Sequence, residues 1–173
     1  MLFGLVVVGL IGILAFAAGR ETAATSAQAS ARRALPTPRP ALTSAEQAYL
    51  QALWPIHADV ERSTMRITLA QIFYKIDDLD RPQLRTRIDE ALATYRRAEA
   101  RLRELQPPSS LRSAHDDYLV AVGLFDDSAV ELLKMFDDGS EDHFMAAYPL
   151  SLEGSNRIRE IGGRFWPDEY PPN

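Results

Sequence analysis

Apolar positions recur along most of this chain at alternating steps of four and three residues, a spacing that sets side chains on one stripe of an α-helix. Leu84, Ile88, Ala91, Tyr95, Ala98, Leu102 and Leu105 form one such series. Leu111, His115, Tyr118, Val122, Phe125, Ala129, Leu132 and Phe136 form another. Strand-like alternation appears nowhere at useful length. The pattern predicts helices over about 44–76, 81–105, 110–138 and 141–163, with ends uncertain by several residues.

The ends of these segments carry their own signals. Thr43-Ser-Ala-Glu46 and Asp80-Arg-Pro-Gln83 have capping-box spacing, an N-cap oxygen with Glu or Gln three residues on. Pro107-Pro108 stops the second helix, Gly139 suits a left-handed C-terminal cap, and Gly162-Gly163 reads as the stop of the fourth. Pro55 and Pro149 fall inside helical segments, where the missing donor predicts a kink or a break. Short connections between long helices make neighbours antiparallel. The predicted fold is all-α: an up-down antiparallel four-helix bundle over residues 43–163, the large core positions of its second and third helices mostly buried. Tyr49-Leu50-Gln51-Ala52 and Tyr118-Leu119-Val120-Ala121 open the two hairpins similarly, and each hairpin finishes at a Pro-Pro pair. This is either a pair of related hairpins about a pseudo-twofold axis or chance recurrence in a Leu/Ala-rich helical sequence.

One segment departs from that pattern. Residues 2–18, LFGLVVVGLIGILAFAA, carry no charge, and as a helix they extend about 26 Å, at the short end of what spans a bilayer. Residues 1–18 therefore read as a single transmembrane anchor. The rival is a cleaved signal with Ala15-Phe16-Ala17 as its cleavage site. Against it, no Lys or Arg precedes the run, and the run exceeds an ordinary signal core. Gly4 and Gly12 share a helical face on which a neighbouring membrane helix approaches closely, or they are simply the glycines common in such helices. Residues 19–42 follow as an Ala/Ser/Pro-rich linker, stiffened into an extended spacer by Pro36, Pro38 and Pro40. Arg20, Arg32 and Arg33 lie after the apolar run, which by the positive-inside rule retains the C-terminal domain in the cytoplasm. The composition of the linker points to export instead. The expectation is a single-pass protein of the cell membrane with an extracytoplasmic domain.

Charge narrows the function classes. Setting aside Arg20, Glu21, Arg32, Arg33 and Arg39 leaves 15 basic and 23 acidic residues in the domain, a net charge of −8. A nucleic-acid module is basic, so nucleic acid is not an expected partner. Residues 81–104 hold seven Arg against four acids, and residues 112–142 hold two basic groups against nine acids. Mutually compensating solvated faces explain that split, or each face meets a different partner. The absence of cysteine excludes disulfides and thiolate metal sites.

Candidate chemistry is sparse. His57 and Glu61 form an i, i+4 pair on one helical face, the only weak metal candidate. The paired Glu-x-x-His motifs of a di-iron bundle are missing, and so is the Cys-x-x-Cys-His of a covalent haem. His115 lies in an apolar stripe, where a hydrogen-bonded core imidazole is the ordinary outcome. The acidic run Asp137–Asp142 lacks the order of a calcium loop. No nucleophile elbow, catalytic triad order or phosphate-cradling glycine loop appears. Neither a cofactor nor catalysis is expected. The tail, residues 164–173, concentrates Phe165, Trp166 and Tyr170 among prolines. It either caps the bundle or anchors in a partner.

The pattern Leu102-x-x-Leu105-x-Pro107-Pro108-x-x-Leu111-x-x-x-His115-x-x-Tyr118 resembles the helix–Pro-Pro–helix arrangement of uncharacterised bacterial membrane-tethered helical proteins. It covers about the central fifth of the domain. The resemblance implies a helical extracytoplasmic domain and supplies no functional residues. Such proteins are commonly tethered through a lipidated cysteine, which this chain lacks. The leading expectation is a non-catalytic accessory subunit whose partners are the lipid bilayer and the subunits of an integral-membrane complex, touched through Gly4, Gly12, Phe165, Trp166 and Tyr170. An energy-transducing host, such as a bacterial alternative complex III, is an expectation resting on build alone. The alternative is a free-standing sensory or ligand-binding bundle, with a pocket lined by His57, Tyr74, Tyr95 and His115.

Overall fold

The computed structural model describes residues 41–166. The expected anchor with Gly4 and Gly12, the linker up to residue 40, and Tyr170 lie outside the described residues. Among the described residues no helix is long and apolar enough to cross a membrane.

Four helices make up this region: α1 Ser44–Lys75, α2 Arg81–Glu104, α3 Arg112–Asp138 and α4 Asp142–Phe165, with a 3-10 turn at Ser109–Leu111 before α3. Both capping boxes form. Thr43 and Asp80 accept from the backbone N–H of Glu46 and Gln83, whose side chains accept in return from the cap N–H groups. Gly139 ends α3 at φ 80°, in the left-handed region. α2 ends three residues before Pro107, as expected.

Residue pairs fix the order of the bundle. Asp59–Arg101 and Thr64–Tyr95 tie α1 to α2, and Arg81–Met135 and Arg96–Asp126 tie α2 to α3. Asp117–Arg157 and Ser128–Ala147 tie α3 to α4. In each case a later residue on one helix meets an earlier one on the next, so neighbours run antiparallel. The core holds Leu53, Leu84, Ile88, Tyr95, Leu102, Tyr118, Val122, Phe125 and Leu132, all buried. Phe136 departs from expectation. It is half-buried, with the guanidinium carbons of Arg81 and Arg85 at 5.4 and 5.5 Å from its ring centre, while neighbouring Met135 takes the core place.

Of the kink or break expected at each internal proline, the break does not occur. Pro55 and Pro149 interrupt neither α1 nor α4. Both prolines are exposed, as are Gln51 and Met145 four residues earlier, so carbonyls deprived of a helical donor lie where water reaches. Nor does Gly162-Gly163 stop α4, which continues to Phe165. Arg164 and Phe165 therefore complete a helix instead of opening a tail. The stop falls at Trp166, at φ −131° and ψ 66°, and it precedes a proline, a position that disfavours helical backbone.

The end of α1 carries no glycine signal in the sequence. α1 closes with Asp77 at φ 62°, the only non-glycine residue with positive φ among the described residues. The Asp78 N–H donates to the Phe73 carbonyl and the Asp77 N–H to that of Tyr74. This is a Schellman closure with aspartate where glycine is usual.

Small residues set the spacing of α4. A Cβ built on Gly154 would lie 3.1 Å from the Ala121 carbonyl oxygen and 3.2 Å from two ring carbons of Phe125. Ser128 donates its hydroxyl to the Ala147 carbonyl across the same seam. α4 consequently lies closer against α3 than against α1. That asymmetry shapes the surface.

Candidate functional site

Two histidine–tyrosine pairs cross the core between α1 and α3. Tyr49 Oη and His115 Nδ1 are 2.9 Å apart, as are His57 Nδ1 and Tyr118 Oη. The rings meet at the same angle in both pairs, 66°, with centres 6.0 Å apart. Burial holds both imidazoles below their ordinary pKa, since a charged ring loses its hydration there. Burial also pushes the Tyr49 hydroxyl up to about 12. Among the described residues no buried side-chain nitrogen or oxygen lacks a hydrogen-bond partner. His57 Nε2 lies 3.6 Å from Glu61 Oε2, so the expected pair is adjacent. Among the described residues no group of three or more His, Asp or Glu is placed to hold a metal ion.

The expected pocket residues do not converge. His57, His115 and Tyr95 face core partners, Tyr95 hydrogen-bonding Thr64. Tyr74 lies about 25 Å further along α1 from His57, at 1.5 Å per residue, and donates to Glu141. Phe165, at the end of α4, and Trp166, at its cap, pack against the core and are half-buried. The Trp166 ring centre lies 4.8 Å from that of His57 and 5.1 Å from that of Trp54.

The contacts at Trp54–Trp166 and at Lys75–Glu141 join α1 to α4 near both ends of the bundle. Between these points the two helices part and leave a trough. One cavity in it, of about 380 Å³, reaches down to Phe125 of α3. An adjoining one, of about 450 Å³, reaches Ser128. Thr64, Thr68 and Ser155 line both. Met65 and Leu69 of α1 and Met145, Tyr148 and Leu152 of α4 line the trough, and each belongs to an exposed apolar stripe. Met65, Leu69 and Ile72 run along α1 to Ile76 at its C-cap, while Met145, Tyr148 and Leu152 run along α4. Their steps of four, three and four, and of three and four, place each set on one helix face. α1 thus has two apolar faces, and only one is in the core. The sequence carries this signal as a second helical period in its first helical segment.

On the other side of α1, the seam with α2 is lined by arginine. A cavity of about 380 Å³ there touches Arg62, Arg66, Arg87, Arg97 and Arg101, against the two carboxylates of Asp59 and Glu90. The opposite acidic excess lies on α3, so the charge split of the sequence corresponds to different helices. Arg96–Asp126 is a direct cross-link between them.

No protein-family model, curated protein or solved structure matches the chain.

Proposed function

We propose that the chain is a non-catalytic, single-pass membrane-anchored accessory subunit of a larger integral-membrane complex, its bundle on the extracytoplasmic side and an amphipathic helix of a host subunit seated in the α1–α4 trough. The apolar segment 2–18 supports the anchor, and the linker supports the separation of bundle from bilayer. The observation that carries the docking role is the pair of exposed stripes. Met65 and Met145 are 65% and 75% exposed, and unlike scattered surface apolar residues they belong to ordered rows and themselves line a concave seam. From Met65 to Ile76 the α1 stripe runs about 16 Å, three turns of helix. Small hydroxyl-bearing residues between the rows leave room for a helix to approach, and methionine side chains repack readily around an incoming one.

Purification of the full-length protein from its native membranes in mild detergent, with identification of what accompanies it, tests this reading. Met65→Glu combined with Met145→Glu is expected to abolish that co-purification while leaving the helical content and melting temperature of the bundle unchanged. A lone monomer under gentle extraction overturns the subunit reading. So does a homodimer dissolved by the same substitutions, because the trough would then be filled by a second copy. The alternative, a free-standing ligand-binding bundle, is favoured by one observation, the arginine-lined seam between α1 and α2.

A further inference from the structure

The α1–α2 seam concentrates positive charge in a domain that is acidic overall. Asp59 serves two of the arginines, with Oδ1 2.6 Å from Arg62 and Oδ2 3.0 Å from Arg101. Glu90 pairs with Arg87 at 3.1 Å. Arg97 donates to the Thr94 hydroxyl at 2.9 Å, and neither Arg97 nor Arg66 has a carboxylate partner among the described residues. Arg62 and Arg66 are four residues apart on α1, and so are Arg97 and Arg101 on α2. Like charges at that spacing repel, and here two such pairs line one cavity. An ordinary solvated helix face disperses its charges outward. This one turns them into a concavity.

The cavity has two ends of different character. Arg66, Arg87 and Arg97 also line an adjoining space of about 790 Å³, which continues to Leu69, Phe73 and Leu79. Leu69 and Phe73 are exposed there. The seam therefore passes from guanidinium groups to an apolar floor. A carboxylate needs only one guanidinium for bidentate pairing, whereas a phosphate monoester carries nearly two charges and three acceptor oxygens. Two uncompensated guanidiniums match one such head.

We propose that the α1–α2 groove binds an organic phosphate monoester bearing an apolar body, its head between Arg66 and Arg97 and its apolar part over Phe73 and Leu79. The groove is on a different seam from the trough and shares only Leu69 with it, so variants at Arg66, Arg97 and Phe73 test it apart from the trough. The head group is the same in a soluble alkyl phosphate and in phosphatidic acid. The arginines are exposed, so binding weakens as salt is added.

The test uses full-length protein in nonionic detergent, with butyl phosphate, inorganic phosphate and dibutyl phosphate as probes followed by calorimetry at low ionic strength. Butyl phosphate is expected to bind saturably and about tenfold more tightly than the monoanionic dibutyl ester, consistent with charge-assisted pairing of two guanidiniums. Arg66→Gln with Arg97→Gln is expected to weaken it at least about tenfold, while the double lysine variant retains part of the affinity. Phe73→Ala should bring butyl phosphate towards inorganic phosphate, and Arg103→Gln, outside the groove, should change nothing. Displacement by micelles doped with phosphatidic acid assigns the ligand to the membrane, and failure to displace assigns it to the soluble esters. Absence of saturable butyl phosphate binding, or equal binding by wild type and a folded Arg66→Gln/Arg97→Gln variant, overturns the proposal.

Discussion

Gly154→Ala and Gly123→Ala make the same chemical change inside two helices and should shift stability in opposite directions. In a helix interior, replacing glycine by alanine removes backbone freedom from the unfolded chain and is stabilising by about 0.5–1 kcal/mol. At Gly123 a new Cβ meets nothing within 4 Å, so that gain is realised. At Gly154 the methyl group would lie 3.1 Å from the Ala121 carbonyl oxygen and 3.2 Å from Phe125. The carbonyl belongs to helical backbone. The ring is stacked on Tyr95 with centres 5.4 Å apart, and Tyr95 is itself hydrogen-bonded to Thr64. Neither neighbour retreats without disturbing the core. Overpacking costs about 1–3 kcal/mol, so after the helical gain Gly154→Ala is expected to destabilise by about 0.5–2 kcal/mol. For a domain of this size each kcal/mol shifts Tm by about 3–5 °C. Thermal unfolding followed by near-ultraviolet circular dichroism of the full-length protein in detergent measures both variants. Gly154→Ala raising Tm as much as Gly123→Ala would refute the close approach of α4 to α3, and with it the account of why the trough opens.

Leu102→Ala empties a fully buried site and should cost about 2–5 kcal/mol in a urea titration; a cost below 1 kcal/mol would contradict its packing. Asp77→Gly relieves a left-handed backbone at φ 62° and should raise stability by about 1 kcal/mol, against a loss if the aspartate side chain holds the turn. For His57 and His115 the folded pKa is lowered by burial, so the unfolded chain takes up the proton first. Stability is therefore lost as pH falls below about 6.5, the unfolded value. His143, between Asp138 and Glu131, has its pKa raised by those hydrogen bonds. Its contribution is fully present below that unfolded value and is lost as pH rises through the folded one. Tm measured against pH should fall less steeply just below about pH 6.5 in His57→Phe, with His115 still contributing, and should lose the alkaline contribution of His143 in His143→Gln; unchanged profiles would defeat both assignments. Trp166→Ala should lower Tm, because the ring covers His57 and Trp54, and a shift below 1 °C would contradict that cover.

Much of the bundle was legible along the chain because its determinants are local. A capping box needs only a Thr or Asp and a Glu or Gln three residues later, and Thr43–Glu46 and Asp80–Gln83 formed as read. The stripes on α2 and α3 were legible for the same reason, since a buried helix face repeats at a fixed period. Whether Pro55 and Pro149 break their helices was not legible, because the cost of a missing donor depends on what surrounds the freed carbonyl, and exposure to water is a tertiary property. Asp77 was unreadable as a cap, because left-handed backbone at aspartate is set by how the chain must turn into α2.

The candidate sites divide along the same line. That His115 would be a bonded core imidazole followed from its stripe, but its pairing with Tyr49 joins residues 66 apart in sequence. The second stripe of α1 was present in the sequence. Whether it faced a neighbour or solvent was not, because four helices can satisfy their main stripes at several separations. Gly154 and Ala147 let α4 settle against α3, and the helices have fixed diameters, so the opposite seam opened. The arginines of α2 were countable from the chain, but their meeting with Arg62 and Arg66 of α1 around a common cavity came only from antiparallel packing. Local periodicity and capping thus determined the helices and their buried faces, while packing distances across the bundle decided which faces stayed open and which charges were brought together.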